Sequence, residues 1–146
     1  MAVVDELIFV DENGKLNFGN FKLEEKSKLS DFAFNGDTYK VKTYKEITKL
    51  EKNEGFLYES VPGTTVSNFE ETEEGITFVV DCESDAAITL GLNQDAIYRV
   101  MINGESTGTM ETGVGGKISF NVMDIPGGSV EVSVIKIWHI RFTYKI

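Results

Sequence analysis

The 146-residue chain predicts an all-β fold, with N-terminal antiparallel hairpins followed from about residue 58 by an antiparallel β-sandwich. Three observations carry that prediction. Apolar and polar residues alternate with a period of two in short segments, as in strands with one buried face. Asn-Gly and Gly-rich turn signals separate those segments at the roughly 8–12-residue intervals of a two-sheet sandwich. No fixed repeat runs through the chain, which argues against a solenoid or propeller.

The elements follow in order. Leu7 to Val10 pairs across Asp11-Glu12-Asn13-Gly14 with Lys15 to Phe18. Residues 22–32 are the place for a short helical turn. Asn35-Gly36 supplies the positive φ angles of a two-residue hairpin turn. Thr38 to Thr43 then alternates, with Tyr39 and Val41 on one face and Lys40 and Lys42 on the other. Residues 45–52 read as a strand, although Ile47 and Leu50 also fit helical spacing. Phe56 to Val61 follows the turn at Asn53-Glu54-Gly55, and Pro62-Gly63 suits the centre of a type II turn.

From residue 58 the alternation becomes regular. Val66 to Phe69 leads into the acidic turn Glu70 to Gly75. Ile76, Phe78, Val80 and Cys82 share one face of the next strand. Ile88, Leu90 and Leu92 follow, and Tyr98, Val100 and Ile102 run up to Asn103-Gly104. Gly108 to Met110 returns, and Ile118, Phe120 and Val122 come after Gly115-Gly116. Gly127-Gly128 precedes Val130, Val132 and Val134. The parity breaks at Ile135 to Ile137, which predicts a bulge or a change of sheet. A separate C-terminal strand, 138–146, places Trp138, Ile140, Phe142, Tyr144 and Ile146 on one face. The division expected from this reading is an N-terminal β subdomain, 1–57, and a sandwich with an extra strand, 58–146.

Composition narrows the function classes. Net charge is −10, and residues 53–134 hold 14 acids against the two bases Arg99 and Lys117. Residues 22–52 hold eight lysines against six acids. A body so acidic repels phosphate backbones, so no nucleic-acid partner is expected. No segment reaches the roughly 20 apolar residues that cross a bilayer, so no membrane partner is expected either. The opening residues carry no basic region followed by an apolar one, which predicts a cytoplasmic protein, or a virion component if the chain is phage-derived. Cys82 is the single cysteine and excludes an internal disulfide; its strand position suits a small buried hydrophobe.

Chemistry-bearing residues are sparse. His139 alternates outward from Trp138 and Ile140, and only Arg99 and Arg141 carry guanidinium groups. With 24 acids, some carboxylate pair always meets glycosidase spacing, so that spacing identifies nothing. No catalytic residue is assigned and no cofactor is expected. Asp81, Glu83 and Asp85 alternate out of a strand and are the candidate oxygen ligands for a metal such as calcium. Exposed aromatic faces with polar neighbours bind sugars, which makes Trp138, Tyr44 and Tyr58 candidate binding residues. Trp138, Ile140, Phe142 and Tyr144 also form an apolar strand face that needs cover from this chain or another.

Two resemblances add to this reading. Tyr98 to Gly104, continued by Gly108-Thr109, Thr112 and Gly116 to Phe120, resembles the last hairpins of immunoglobulin-like modules appended to many bacterial polysaccharide-active enzymes and surface proteins. That resemblance implies an immunoglobulin-like sandwich. Tyr39 to Thr43, Glu46 to Lys52 and Tyr58 to Thr64 resemble a group of small uncharacterised bacterial proteins, some labelled endosialidase. Three expectations stand together. The first is a non-enzymatic structural or interaction module that self-associates or docks on a protein partner, one form being a phage virion or tail component. The second is a carbohydrate-binding module for a glycan such as a sialoside. The third, implied by the label, is a small glycan-active enzyme.

Overall fold

The computed structural model describes residues 7–123 and 129–137 and is all-β. In chain order the strands are β1 (Ile8–Val10), β2 (Leu16–Phe18), β3 (Ser27–Phe34), β4 (Asp37–Tyr44), β5 (Ile47–Lys52), β6 (Gly55–Val61), β7 (Thr64–Thr72), β8 (Gly75–Cys82), β9 (Ala86–Gly91), β10 (Ile97–Ile102), β11 (Glu105–Glu111), β12 (Lys117–Val122) and β13 (Val130–Lys136). They form two antiparallel sheets. One has the order β1-β2-β7-β8-β13-β10-β11, the other β12-β9-β6-β5-β4-β3.

Turn chemistry sets several of the hairpins. Asn35-Gly36 and Asn103-Gly104 both take positive φ at both positions, the mirror-image turn whose twist matches the flanking strands. Asn53-Glu54 does the same, an unusual conformation for glutamate. At Asp11 the carboxylate accepts from the backbone N–H groups of Asn13 and Lys15 and from the Asn17 amide. Those bonds, that of Asn17 foremost, hold the Asp11 carboxyl below its usual range.

Three expectations are corrected. The boundary between residues 57 and 58 falls inside β6. Strands from the first part are not a separate subdomain: β1 and β2 extend one sheet beyond β7, and β3 to β5 extend the other beyond β6. Both halves therefore share one core, in which Leu16, Phe18, Val41 and Leu50 pack with Val66, Phe78, Ile88 and Val132. The helical turn expected within 22–32 is absent, because residues 27–34 are committed to a ladder with β4 that the Asn35-Gly36 turn closes. Pro62-Gly63 is not a type II turn. The Val61–Pro62 bond is cis, Gly63 has no positive φ, and a Cβ on Gly63 would strike the Tyr44 carbonyl.

Two features tie the sheets together. Tyr58 from β6 meets Phe18, Phe69 and Phe78 of the facing sheet edge-on, with ring centroids 5.2, 6.4 and 5.6 Å apart. Each such contact adds roughly 0.5–1.5 kcal/mol to the burial itself. Beside this cluster runs a chain of buried hydroxyls. Thr43 Oγ1 accepts from the Asn20 N–H at 2.9 Å and lies 2.8 Å from Thr48 Oγ1. Thr48 Oγ1 donates to the Thr64 carbonyl at 2.8 Å and accepts from the Thr64 N–H at 3.0 Å. Because the Thr48 proton is used there, Thr43 is the donor between the two threonines. Thr64 Oγ1 lies 2.8 Å from both Tyr58 Oη and Ser60 Oγ. The network joins β4, β5 and β6 of one sheet to β7 of the other at the point where the chain changes sheets.

Candidate functional site

The structure separates the sequence-predicted binding residues. Tyr58 is corrected: it is fully buried, its hydroxyl is engaged with Thr64, and its ring is enclosed by phenylalanines, so it offers no face to a ligand. Burial raises its phenol well above the ordinary tyrosine range. Trp138, Ile140, Phe142 and Tyr144, with the strand 138–146 and His139, lie outside the described residues.

Tyr44 is half-buried at the end of β4 on the outer face of the six-stranded sheet. Its hydroxyl donates to Glu46 Oε1 at 3.1 Å, which holds the phenol above its usual range. The Lys26 ammonium stands 6.0 Å from the ring centroid. Asp81 is half-buried at the end of β8, whereas Glu83 and Asp85 are exposed in the following turn. They do not converge on a shared centre: among the described residues no group of three or more His, Cys, Asp and Glu side chains could hold a metal ion. Cys82 is partly buried and packs against the core.

The open end of the sandwich holds two clefts of about 340 and 660 Å³. Lys52 of β5 and Glu71 of β7 line both and join across them at 2.7 Å, so an ion pair between the sheets divides the groove.

Two surfaces stand out that no single sequence segment announces. The first is the edge strand β11. All seven of its residues are exposed, and among the described residues it pairs only with β10. The Thr112 N–H donates to the Ala96 carbonyl at 2.9 Å, and the register continues through Tyr98–Met110. Hydrogen-bonded pairs alternate in an antiparallel ladder, so Thr112 and Met110 bond to β10 while the backbone groups of Thr109 and Glu111 face away from it. Met110 (36% exposed) and Val114 (78%), in the loop after β11, set apolar surface beside this edge. The strand carries no lysine or proline to discourage pairing, and its irregularity near Thr107 leaves 108–111 in regular register.

The second is the outer face of the six-stranded sheet. Lys28 lies opposite Lys42, Lys42 opposite Lys49, and Lys49 opposite Glu59. Three lysines thus stand in one cross-strand row in a chain whose net charge is −10. Desolvation and the surrounding Lys26, Lys49, Lys28 and Lys40 lower the Lys42 ammonium below its usual range. The Lys40 and Lys42 alternation is legible in the sequence, but the alignment of Lys42 with Lys28 and Lys49 depends on register.

Comparison with protein families, with curated proteins and with solved structures finds no match to this chain. Among the described residues, no helix is long and apolar enough to cross a membrane.

Proposed function

We propose that the protein is a non-enzymatic interaction module that self-associates by strand addition at the β11 edge. The observation that carries this reading is the outward backbone of Thr109 and Glu111 on a fully exposed edge strand flanked by Met110 and Val114. Unpaired N–H and C=O groups in register are a template for another strand, and neighbouring apolar side chains add affinity to the main-chain bonds. Residues 138–146, whose sequence alternates Trp, Ile, Phe, Tyr and Ile with polar side chains, are the kind of segment such an edge accepts.

Thr109→Pro tests the reading with little cost to the fold. Proline removes an N–H that faces away from β10, so the native ladder stays intact and only an added strand loses a donor. Light scattering across a concentration series is expected to show an oligomer for the unaltered chain. Thr109→Pro and deletion of residues 138–146 are each expected to shift it to monomer. A chain that stays monomeric throughout, or an oligomer indifferent to Thr109→Pro, overturns the proposal.

A further inference from the structure

We infer that the outer face of the six-stranded sheet, centred on Lys28, Lys42 and Lys49 with Tyr44 beside them, is a binding surface for a linear acidic polysaccharide. This inference is independent of strand addition at β11, which belongs to the other sheet.

Like charges placed directly opposite on neighbouring strands destabilise a sheet. Here that arrangement is repeated across β3, β4 and β5. The chain has 24 acids with which to neutralise it, yet Lys28, Lys40 and Lys42 take part in none of the ion pairs among the described residues. Two carboxylates border the row: Glu51, 3.6 Å from Lys49 and opposite Lys40, and Glu59, opposite Lys49. Protection of an exposed edge accounts for a lysine on β3, but not for Lys42 and Lys49, which sit on interior strands. Lys28 and Lys42, which cost stability and enter no ion pair among the described residues, mark a site for an external partner.

Lysines on adjacent strands recur at the sheet spacing of roughly 4.8 Å. Duplex DNA presents a charge every ~1.7 Å, and one of its strands a charge every ~3.4 Å, both denser than the row. A polysaccharide with one carboxylate per sugar presents its charges at the span of a pyranose ring, which is comparable to the strand spacing. Such a polymer meets one ammonium per sugar as it crosses β3, β4 and β5. Nucleic acid also meets stronger repulsion from the acidic remainder of the molecule.

An apolar border adjoins the lysines. Tyr44 follows Lys42 on the same face of β4, and Ile47 lies opposite Tyr44 on β5. Val61, at the end of β6, is 50% exposed. Charged groups beside a small apolar platform suit a ligand that carries carboxylates on rings with apolar faces. A second copy of this chain is a poorer fit. The outer face of its seven-stranded sheet carries Asp81 and Glu131 without a matching row, and Glu70 and Glu71 are already paired with Lys15 and Lys52.

The test uses the full chain and labelled oligogalacturonate, with dextran, a single-stranded oligonucleotide and polyglutamate as comparison probes, read by fluorescence anisotropy. Oligogalacturonate is expected to bind saturably and dextran not at all. The variant carrying Lys28→Gln, Lys42→Gln and Lys49→Gln is expected to lose at least about tenfold in affinity, with a shallower salt dependence. Its thermal midpoint should be unchanged or higher, which a merely structural role for the lysines does not predict. Absence of oligogalacturonate binding, or equal binding by the triple variant, overturns the inference. So does oligonucleotide or polyglutamate binding at equal or greater strength.

Discussion

Thr48→Val isolates the buried hydroxyl network from the packing around it. Valine keeps the shape of threonine, so the change removes one oxygen and opens no cavity. Thr48 is fully buried, and all three hydrogen-bonding positions of its hydroxyl are used: one donated to the Thr64 carbonyl, one accepted from the Thr64 N–H and one accepted from Thr43. The substitution strands those three groups away from water. A buried polar group left unpaired costs about 1–3 kcal/mol, so a net loss of roughly 3–5 kcal/mol is expected after local relaxation. For a chain of this size, 3 kcal/mol lowers the thermal midpoint by about 6–12 °C. Thr65, on the adjacent position of β7, provides the matched control. Its Oγ1 is buried and has no hydrogen-bond partner among the described residues. Thr65→Val therefore removes an uncompensated hydroxyl and is expected to be neutral or to stabilise by about 1 kcal/mol. Urea titrations of both variants, compared at constant slope, measure the difference. A loss below about 1 kcal/mol for Thr48→Val, or equal losses for the two variants, would refute the reasoning.

Three further substitutions give expected outcomes. Gly63→Ala places a Cβ against the Tyr44 carbonyl, backbone against backbone, and is expected to cost about 2–3 kcal/mol or prevent folding. Gly115→Ala, where nothing lies within 4 Å, should stay within about 0.5 kcal/mol of the parent in the same urea titration. At alkaline pH, burial raises the phenols of Tyr58 and Tyr39, the latter to about 12 with the help of Glu71 and Asp37. The folded state then holds protons that the unfolded state releases near pH 10, so stability is complete below pH 10 and falls as pH rises above it. Tyr58→Phe should flatten that decline by up to about 1.4 kcal/mol per pH unit; an unchanged slope would contradict it.

The strands were legible in the sequence because period-two alternation and turn residues are local signals. Asn35-Gly36 and Asn103-Gly104 took the conformations that their chemistry requires. The stretch 22–32 misled because Ser27–Phe34 lies at a sheet edge, where five of its eight residues are exposed and the other three half-buried, too little burial contrast to set a period. The division at residue 57 misled for a different reason. Which strands share a sheet is decided by pairings such as β2 with β7 and β5 with β6, and only the second of these joins chain neighbours. Tyr58 illustrates the same limit: an aromatic in an alternating strand reads alike whether its face meets solvent or the opposite sheet. The lysine row and the open β11 edge are likewise products of register, so composition could place lysines in 22–52 but could not align them.

The claim that β11 is the point of self-association is tested most directly by amide hydrogen exchange across a dilution series. Met110 and Thr112 bond to β10, so their amides should be protected at every concentration. The amides of Thr109 and Glu111 should exchange rapidly in dilute protein and become protected as concentration rises. Fast exchange at those two positions at every concentration would contradict the account.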